Sequence, residues 1–300
     1  MTTYHFVEIE GINVFYRKAG DPEKPVILLL HGFPTSSHMF RELIPILEND
    51  YYVIAPDYPG FGNTASPDRE KFEYTFDHIT EIVAAFVDRL NLKKYALYVF
   101  DYGAPIGFRL AMKHPERVTA IISQNGNVYR EGLGKKWAER EDYWENPTQE
   151  KRESYRTAFA PKTIKNQYLD GTQNNQVSPD GYTLDIAYMS RPGIDEKQLD
   201  LIFDYKNNVK LYPAFQQYLR EYQPPLLAAW GKNDVSFIPQ GALAFKKDLP
   251  DSEIHLLDSG HFALETHADE IGKLILNFMK KLMLYKFGSR FKDKLFVKDI

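Results

Sequence analysis

Three polar residues, far apart in the chain, share one setting: each comes just after a short apolar run. Asp101 follows Tyr95–Phe100 and opens the phrase DYG, after which Ala104, Gly107, Leu110, Ala111 and Met112 continue at helical spacing. Asp234 follows the run 226–230 in WGKND, and His261 follows the run 254–257 in SGHF. A carboxylate raised on a strand-to-helix turn, a second acid and a histidine can serve as nucleophile, orienting group and base. Small residues are needed where such a turn is tight and its helix packs close, and Gly103 and Gly107 meet that need. A fourth element is HGFP at 31–34, after the apolar run Val26–Leu30. Two backbone N–H groups aimed at one point stabilise a developing oxyanion. The residue after the nucleophile, Tyr102, is expected to supply one and Phe33 the other, with Pro34 fixing the loop.

The order nucleophile, acid, histidine, with separations of 133 and 160 residues from Asp101, leaves room for one long insertion between the first two members. An Asp nucleophile suits attack on an sp³ carbon, because an ionised carboxylate needs no prior deprotonation. The product is an alkyl-enzyme ester on Asp101. His261, oriented by Asp234, then activates the water that hydrolyses it.

These residues need a scaffold. The segments 4–10 and 12–18 flank Gly11 and read as a hairpin. The runs 25–30, 52–55, 95–100, 118–122, 226–230 and 254–257 read as strands, several apolar throughout and therefore buried on both faces. Between them, Phe76, Ile79, Ile82, Val83, Phe86, Val87 and Leu90 form a helical stripe, and Thr266 with Asp269 reads as a capping box. Strands alternating with helices predict a mainly parallel sheet in an α/β fold. From about 127 to 222 the rhythm breaks into helical, polar sequence that holds ten of the twenty tyrosines. We read residues 1–126 and 223–284 as the core, 127–222 as a helical cap and 285–300 as a C-terminal extension. A Tyr-rich cap is expected to line a pocket for a small, largely apolar substrate with polar handles.

A formal net charge of −4 gives no global electrostatic reason to bind nucleic acid or an anionic membrane. The absence of cysteine excludes disulfides and thiolate chemistry. No apolar run is long enough to span a bilayer, and the first residues, MTTYHFVEIE, do not read as a signal peptide. A cytoplasmic protein is expected. The remaining histidines form no ligand-spaced cluster, so neither a metal nor an organic cofactor is expected. The oligomeric state is left open.

From about residue 4 to 283 the chain resembles the α/β-hydrolase superfamily, through HGFPTSS, APDYPGFG, VFDYGAPIGFRLAMKHPERV and WGKND. The resemblance implies an eight-stranded, mainly parallel sheet flanked by helices, with a mostly helical cap inserted after strand 6. Within the superfamily the phrasing is similar to the Asp-nucleophile branch of epoxide hydrolases and haloalkane or haloacid dehalogenases. Haloalkane dehalogenases hold the halide with a Trp after the nucleophile and often an Asn after HG; here Tyr102 and Phe33 stand there. Fluoroacetate dehalogenases clamp a carboxylate with two Arg, where this chain has Tyr102 and Pro105. Arg109, further along the helix, is expected on the surface. Epoxide hydrolases use cap tyrosines to hold the opened oxygen. FDYKNN at 203–208 resembles that segment, which makes Tyr205 one candidate; Tyr143 in DYWENP is the other, with Tyr155 behind it. The resemblance thus implies an epoxide hydrolase giving a vicinal diol. The alternatives are a dehalogenase-like hydrolase and a catalytically slow small-molecule receptor on the same fold.

Overall fold

The computed structural model describes residues 1–295; of the expected extension, residues 296–300 lie outside the described residues. Eight strands form one sheet: β1 (Thr3–Ile9), β2 (Ile12–Ala19), β3 (Val26–Leu30), β4 (Tyr52–Pro56), β5 (Tyr95–Phe100), β6 (Val118–Gln124), β7 (Leu226–Gly231) and β8 (Glu253–Leu257). Their order is β1-β2-β4-β3-β5-β6-β7-β8. The β1–β2 hairpin and the β2–β4 pair are antiparallel, and every later pair is parallel.

The continuous apolar strands feed two cores. In β3, Leu28 and Leu30 face one side and Ile27 and Leu29 the other; in β5, Leu97 and Val99 alternate in the same way with Tyr98 and Phe100. Helix α1 (Leu43–Leu47) covers one face. Helices α2 (Phe76–Arg89) and α3 (Gly103–Lys113) cover the other, α2 through Phe76, Ile79, Ile82, Val83, Phe86 and Val87 as its spacing predicts. Thr75 caps α2, accepting from the His78 N–H at 3.2 Å. Arg109 is a correction: it is buried, and its Nε meets Asp77 at 2.5 Å, because α3 packs that side of its helix against α2.

Between β6 and β7 run α4 (Trp137–Glu145), α5 (Gln149–Ser154), α6 (Pro161–Leu169), α7 (Pro179–Met189) and the 29-residue α8 (Ile194–Tyr222). Polar contacts tie this segment to the rest of the protein. The Asp204 carboxylate accepts from the Phe76 N–H at 2.8 Å, placing a negative charge at the N-terminus of α2. Lys197 Nζ donates to the Ser66 carbonyl at 2.9 Å. On α7, the fully buried Asp185 accepts from the Tyr168 hydroxyl at 2.5 Å, and burial pushes its carboxyl well above the ordinary range.

Two last helices, α9 (Gln240–Ala244) and α10 (Leu264–Leu295), flank β8 in the chain. The capping box does not form. A helical turn already begins at Leu264, the backbone kinks at His267 (φ −130°, ψ 28°), and Thr266 Oγ1 engages Ser259 and His267 side chains instead. No described helix is long and apolar enough to cross a membrane.

Candidate active site

Parallel strands bring their C-terminal ends to one edge, and the four sequence elements meet there for that reason. Asp101 stands directly after β5 with φ +47°, a left-handed backbone that a non-glycine residue rarely adopts. The turn tolerates no bulk beside it. A Cβ on Gly103 would lie 2.2 Å from the Leu30 carbonyl oxygen, and one on Gly107 would lie 2.5 Å from Val99 Cγ1. The strain lifts the Asp101 side chain off the sheet edge toward the loop after β3.

That loop receives it. The Phe33 N–H donates to Asp101 Oδ1 at 2.7 Å, and the Tyr102 N–H also supports the carboxylate. The Phe33–Pro34 bond is cis. Gly32 lies so close that a Cβ on it would sit 2.5 Å from Asp101 Oδ1. His31 belongs to the support of the loop: it stacks on Tyr58 at 4.1 Å between centroids, and its Nδ1 pairs with the Gly32 carbonyl at 3.0 Å. Burial lowers its pKa to about 4, so it is neutral at physiological pH.

On the other side of the carboxylate, His261 Nε2 lies 3.7 Å from Asp101 Oδ2. Its Nδ1 pairs with Asp234 Oδ2 at 2.6 Å. Asp234 is itself held by backbone: Oδ1 accepts from the Ser236 N–H at 2.7 Å and the Phe237 N–H at 3.1 Å. Asn125 completes this cradle. Its Nδ2 donates to Asp234 Oδ2 at 2.8 Å while its Oδ1 accepts from the Gly231 N–H at 2.9 Å. Sequence reasoning missed Asn125. The signal was its place one residue past β6, at the same sheet edge as the other three.

Burial raises the Asp101 pKa against the opposing pull of His261 and the two N–H donors. For His261, burial disfavours the imidazolium, but Asp234 and Asp101 outweigh it and the pKa is raised. The pair is therefore poised so that a proton arriving at Nε2 is stabilised by two carboxylates.

A cavity of about 410 Å³ opens onto these groups, in the range of small-molecule sites. Phe33, Asp101, Tyr102, Trp137 and His261 form its floor and sides. None of the ten tyrosines of 127–222 is on its wall, contrary to expectation. Phenols in this segment pack instead: Tyr168 stacks on Phe262 at 3.8 Å, and Tyr218 on Tyr222 at 5.3 Å. Tyr143 is a correction. It is buried between Tyr155 and Phe203, both at 5.2 Å, and its hydroxyl is turned toward Arg152. Tyr205 is one layer behind the wall, its ring 5.7 Å from Tyr102 and 4.8 Å from Trp137. It is fully buried, and its hydroxyl lies beside that of Tyr212. Among the described residues no three His, Asp or Glu side chains cluster as metal ligands.

The family profile of the alpha/beta hydrolase fold matches residues 25–268. An uncharacterized hydrolase of Saccharomyces cerevisiae, YNR064C, is 45% identical over 280 residues, which span 91% of this chain and 96% of the relative. Among solved structures, the haloalkane dehalogenase DbeA of Bradyrhizobium elkani is similar with a TM-score of 0.78 at 22% identity, covering 95% of this chain and 100% of its own. The epoxide hydrolase VrEH1 of Vigna radiata is similar with a TM-score of 0.75 at 23% identity, covering 93% and 98%. At such identities these two structures speak to the fold alone. The sheet order, the strand-to-helix turn at Asp101 and the profile match agree: this chain belongs to the alpha/beta hydrolase fold family and is a hydrolase of that family.

Proposed function

We propose that the protein hydrolyses small epoxides to vicinal diols through an ester on Asp101. The observation that carries this reading is the division of labour between the two Asp101 oxygens. Oδ1 is held by the Phe33 N–H at 2.7 Å, while Oδ2 faces His261 and the cavity. In this reading Oδ2 attacks the substrate carbon and the C–O bond of the ring breaks. Its oxygen leaves as a tethered alkoxide and takes a proton. His261 then removes a proton from water, and the hydroxide adds to the Asp101 carbonyl carbon. The charge of the tetrahedral intermediate falls on Oδ1, which the Phe33 N–H already holds, with the Tyr102 N–H also directed at the carboxylate. Collapse breaks the ester bond between the Asp101 carbonyl carbon and the substrate oxygen, which takes the proton of the new carboxyl group. The diol leaves, the carboxylate is restored, and the proton on His261 balances the one given to the opened oxygen when both groups re-equilibrate with solvent.

The donor to the opened oxygen is assigned to Tyr205. Its hydroxyl is fully buried beside that of Tyr212, a neutral neighbour from which it can turn to a substrate oxygen. Burial pushes this phenol well above its ordinary pKa, and Tyr212 and Asp101 add to the rise, so it keeps the proton it must donate. Its ring abuts Tyr102 and Trp137, so this role requires one of these wall residues to move. Tyr143 has no such role. A dehalogenase reading lacks the indole and amide N–H groups that would cradle a halide at residues 102 and 33.

Turnover of styrene oxide in ¹⁸O water tests the mechanism. Label should enter the Asp101 side chain over many turnovers, because the attacking water leaves its oxygen there. An active enzyme whose Asp101 stays unlabelled refutes the covalent route. Faster turnover of 1-bromobutane than of styrene oxide refutes the epoxide preference alone.

A further inference from the structure

The cap side of the cavity is not built for a purely apolar ligand. Lys136 and Arg140, one helical turn apart at the start of α4, both line it. Arg140 is half-buried, and its guanidinium carbon lies 4.5 Å from the centroid of Trp137, itself on the wall. Stacking of this kind fixes the plane of the guanidinium and leaves its edge free to donate. Tyr102 lines the same cavity, and the positive charge of Arg140 opposes the rise that burial causes in its pKa.

No carboxylate among the described residues lies within ion-pair distance of Arg140 or Lys136. Several other arginines find carboxylates, Arg69 with Asp200 at 2.5 Å, Arg109 with Asp77 at 2.5 Å, Arg152 with both Glu196 and Asp200 at 2.9 Å, and Arg220 with Asp248 at 2.7 Å, while Arg17 and Arg191, which have none among the described residues, bond side chains or backbone carbonyls instead. Withdrawing a cation from water without a counter-charge is unfavourable. Three acids line the cavity without resolving this, and Asp234 is taken up by His261, Asn125 and two backbone N–H groups. Asp170 is exposed where it lines the cavity, and Asp101 acts on Arg140 only at a distance, its oxygens being taken up by the Phe33 N–H and His261. The neighbouring wall is of neutral donors, with Thr163, Asn166 and Gln167.

We propose that the substrate carries a carboxylate, which the Arg140 guanidinium binds together with the Tyr102 hydroxyl, with Lys136 adding a second positive charge. The apolar body of the substrate then lies along Phe33 and Trp137, and its reactive carbon faces Asp101. Guanidinium and carboxylate match in shape as well as charge, which favours this anion. The inference rests on the proposed function only in assuming that this cavity is the substrate site.

Binding, separated from turnover, tests it. Calorimetry of the wild-type protein with 3-phenylpropionate and with the isosteric 3-phenylpropionamide compares charge at constant shape, and neither probe can alkylate Asp101. The carboxylate is expected to bind more than about tenfold tighter. Arg140→Gln should remove most of that preference, Arg140→Lys should keep part of it, and Lys136→Gln should lower it less than Arg140→Gln. Added salt should weaken the carboxylate and not the amide. Equal binding of the two probes, binding of neither, or a preference that survives Arg140→Gln overturns the proposal. Because no bond is made in this experiment, an error in the covalent mechanism leaves its result unchanged.

Discussion

Replacing Asp234 by Asn tests the base assignment with almost no change of shape. The two backbone donors at Oδ1, Ser236 and Phe237, select the amide oxygen for that position. The amide nitrogen then occupies the Oδ2 position, where it meets Asn125 Nδ2 at 2.8 Å and His261 Nδ1 at 2.6 Å. Asn125 cannot flip to relieve the donor–donor contact without orphaning the Gly231 N–H, which its Oδ1 now accepts at 2.9 Å. His261 must therefore accept at Nδ1 and carry its proton on Nε2, the atom that faces Asp101 and should take a proton from water. A base in the wrong tautomer costs about 10⁴ in rate, or about 5.4 kcal/mol. The loss should fall on ester hydrolysis only, since alkylation needs no base. In rapid-quench mass spectrometry with styrene oxide, Asp234→Asn should alkylate Asp101 at close to the wild-type rate and then accumulate the ester, while steady-state turnover drops by about 10⁴. Its pH profile should shift as well. Asp234 helps to raise the His261 pKa above the ordinary value, so the neutral base forms at higher pH in the wild type than in the variant. Equal losses in alkylation and hydrolysis, with no ester detected, would refute the assignment of His261 to the second step.

Further outcomes are expected elsewhere. Gly32→Ala places a Cβ 2.4 Å from Asp101 Cβ and 2.5 Å from its Oδ1, which displaces the carboxylate from the Phe33 N–H; activity should fall by ~10²–10³ with circular dichroism unchanged, and an active Gly32→Ala enzyme would count against the oxyanion geometry. Tyr205→Phe should slow ester formation by ~10²–10³ and leave hydrolysis of a preformed ester intact; unchanged single-turnover alkylation removes Tyr205 from the mechanism. Asp185 concerns stability. Its folded pKa is raised by burial, so its contribution is fullest below the unfolded carboxyl value and is lost as pH rises through the folded one. Asp185→Asn should thus gain in Tm relative to wild type on going from pH 5 to pH 8, and a constant difference between the two proteins across that interval contradicts the raised pKa.

The sheet and the edge where Asp101, Asp234, His261 and Phe33 meet were legible in the sequence because both rest on local, periodic signals. Apolar runs bounded by Gly, Pro and polar turns mark strands buried on two faces, and parallel strands must present their C-terminal ends together. Asp101, Asp234, His261 and Phe33 each follow such a run, so their convergence follows from connectivity alone, whatever their distances in sequence. The demand for small residues after Asp101 was equally local, and the contacts awaiting any Cβ at Gly103 and Gly107 show its cause. The 127–222 segment was different. Its helices were visible, but which side of each helix meets the cavity depends on how they lie over the sheet, and no periodicity encodes that. Tyr143 and Tyr205 have the same residue type and similar surroundings in sequence, yet one turns toward Arg152 and the other lies behind Tyr102 and Trp137. Arg109 read as surface and is buried, because the packing of α3 on α2 brought Asp77 to it. Asn125 carried only the mark of its place just after β6, and Arg140 carried none. The importance of Asn125 comes from Asp234 and Gly231, more than 100 residues away, and that of Arg140 from the carboxylate it lacks, and only the tertiary structure decides which charges meet.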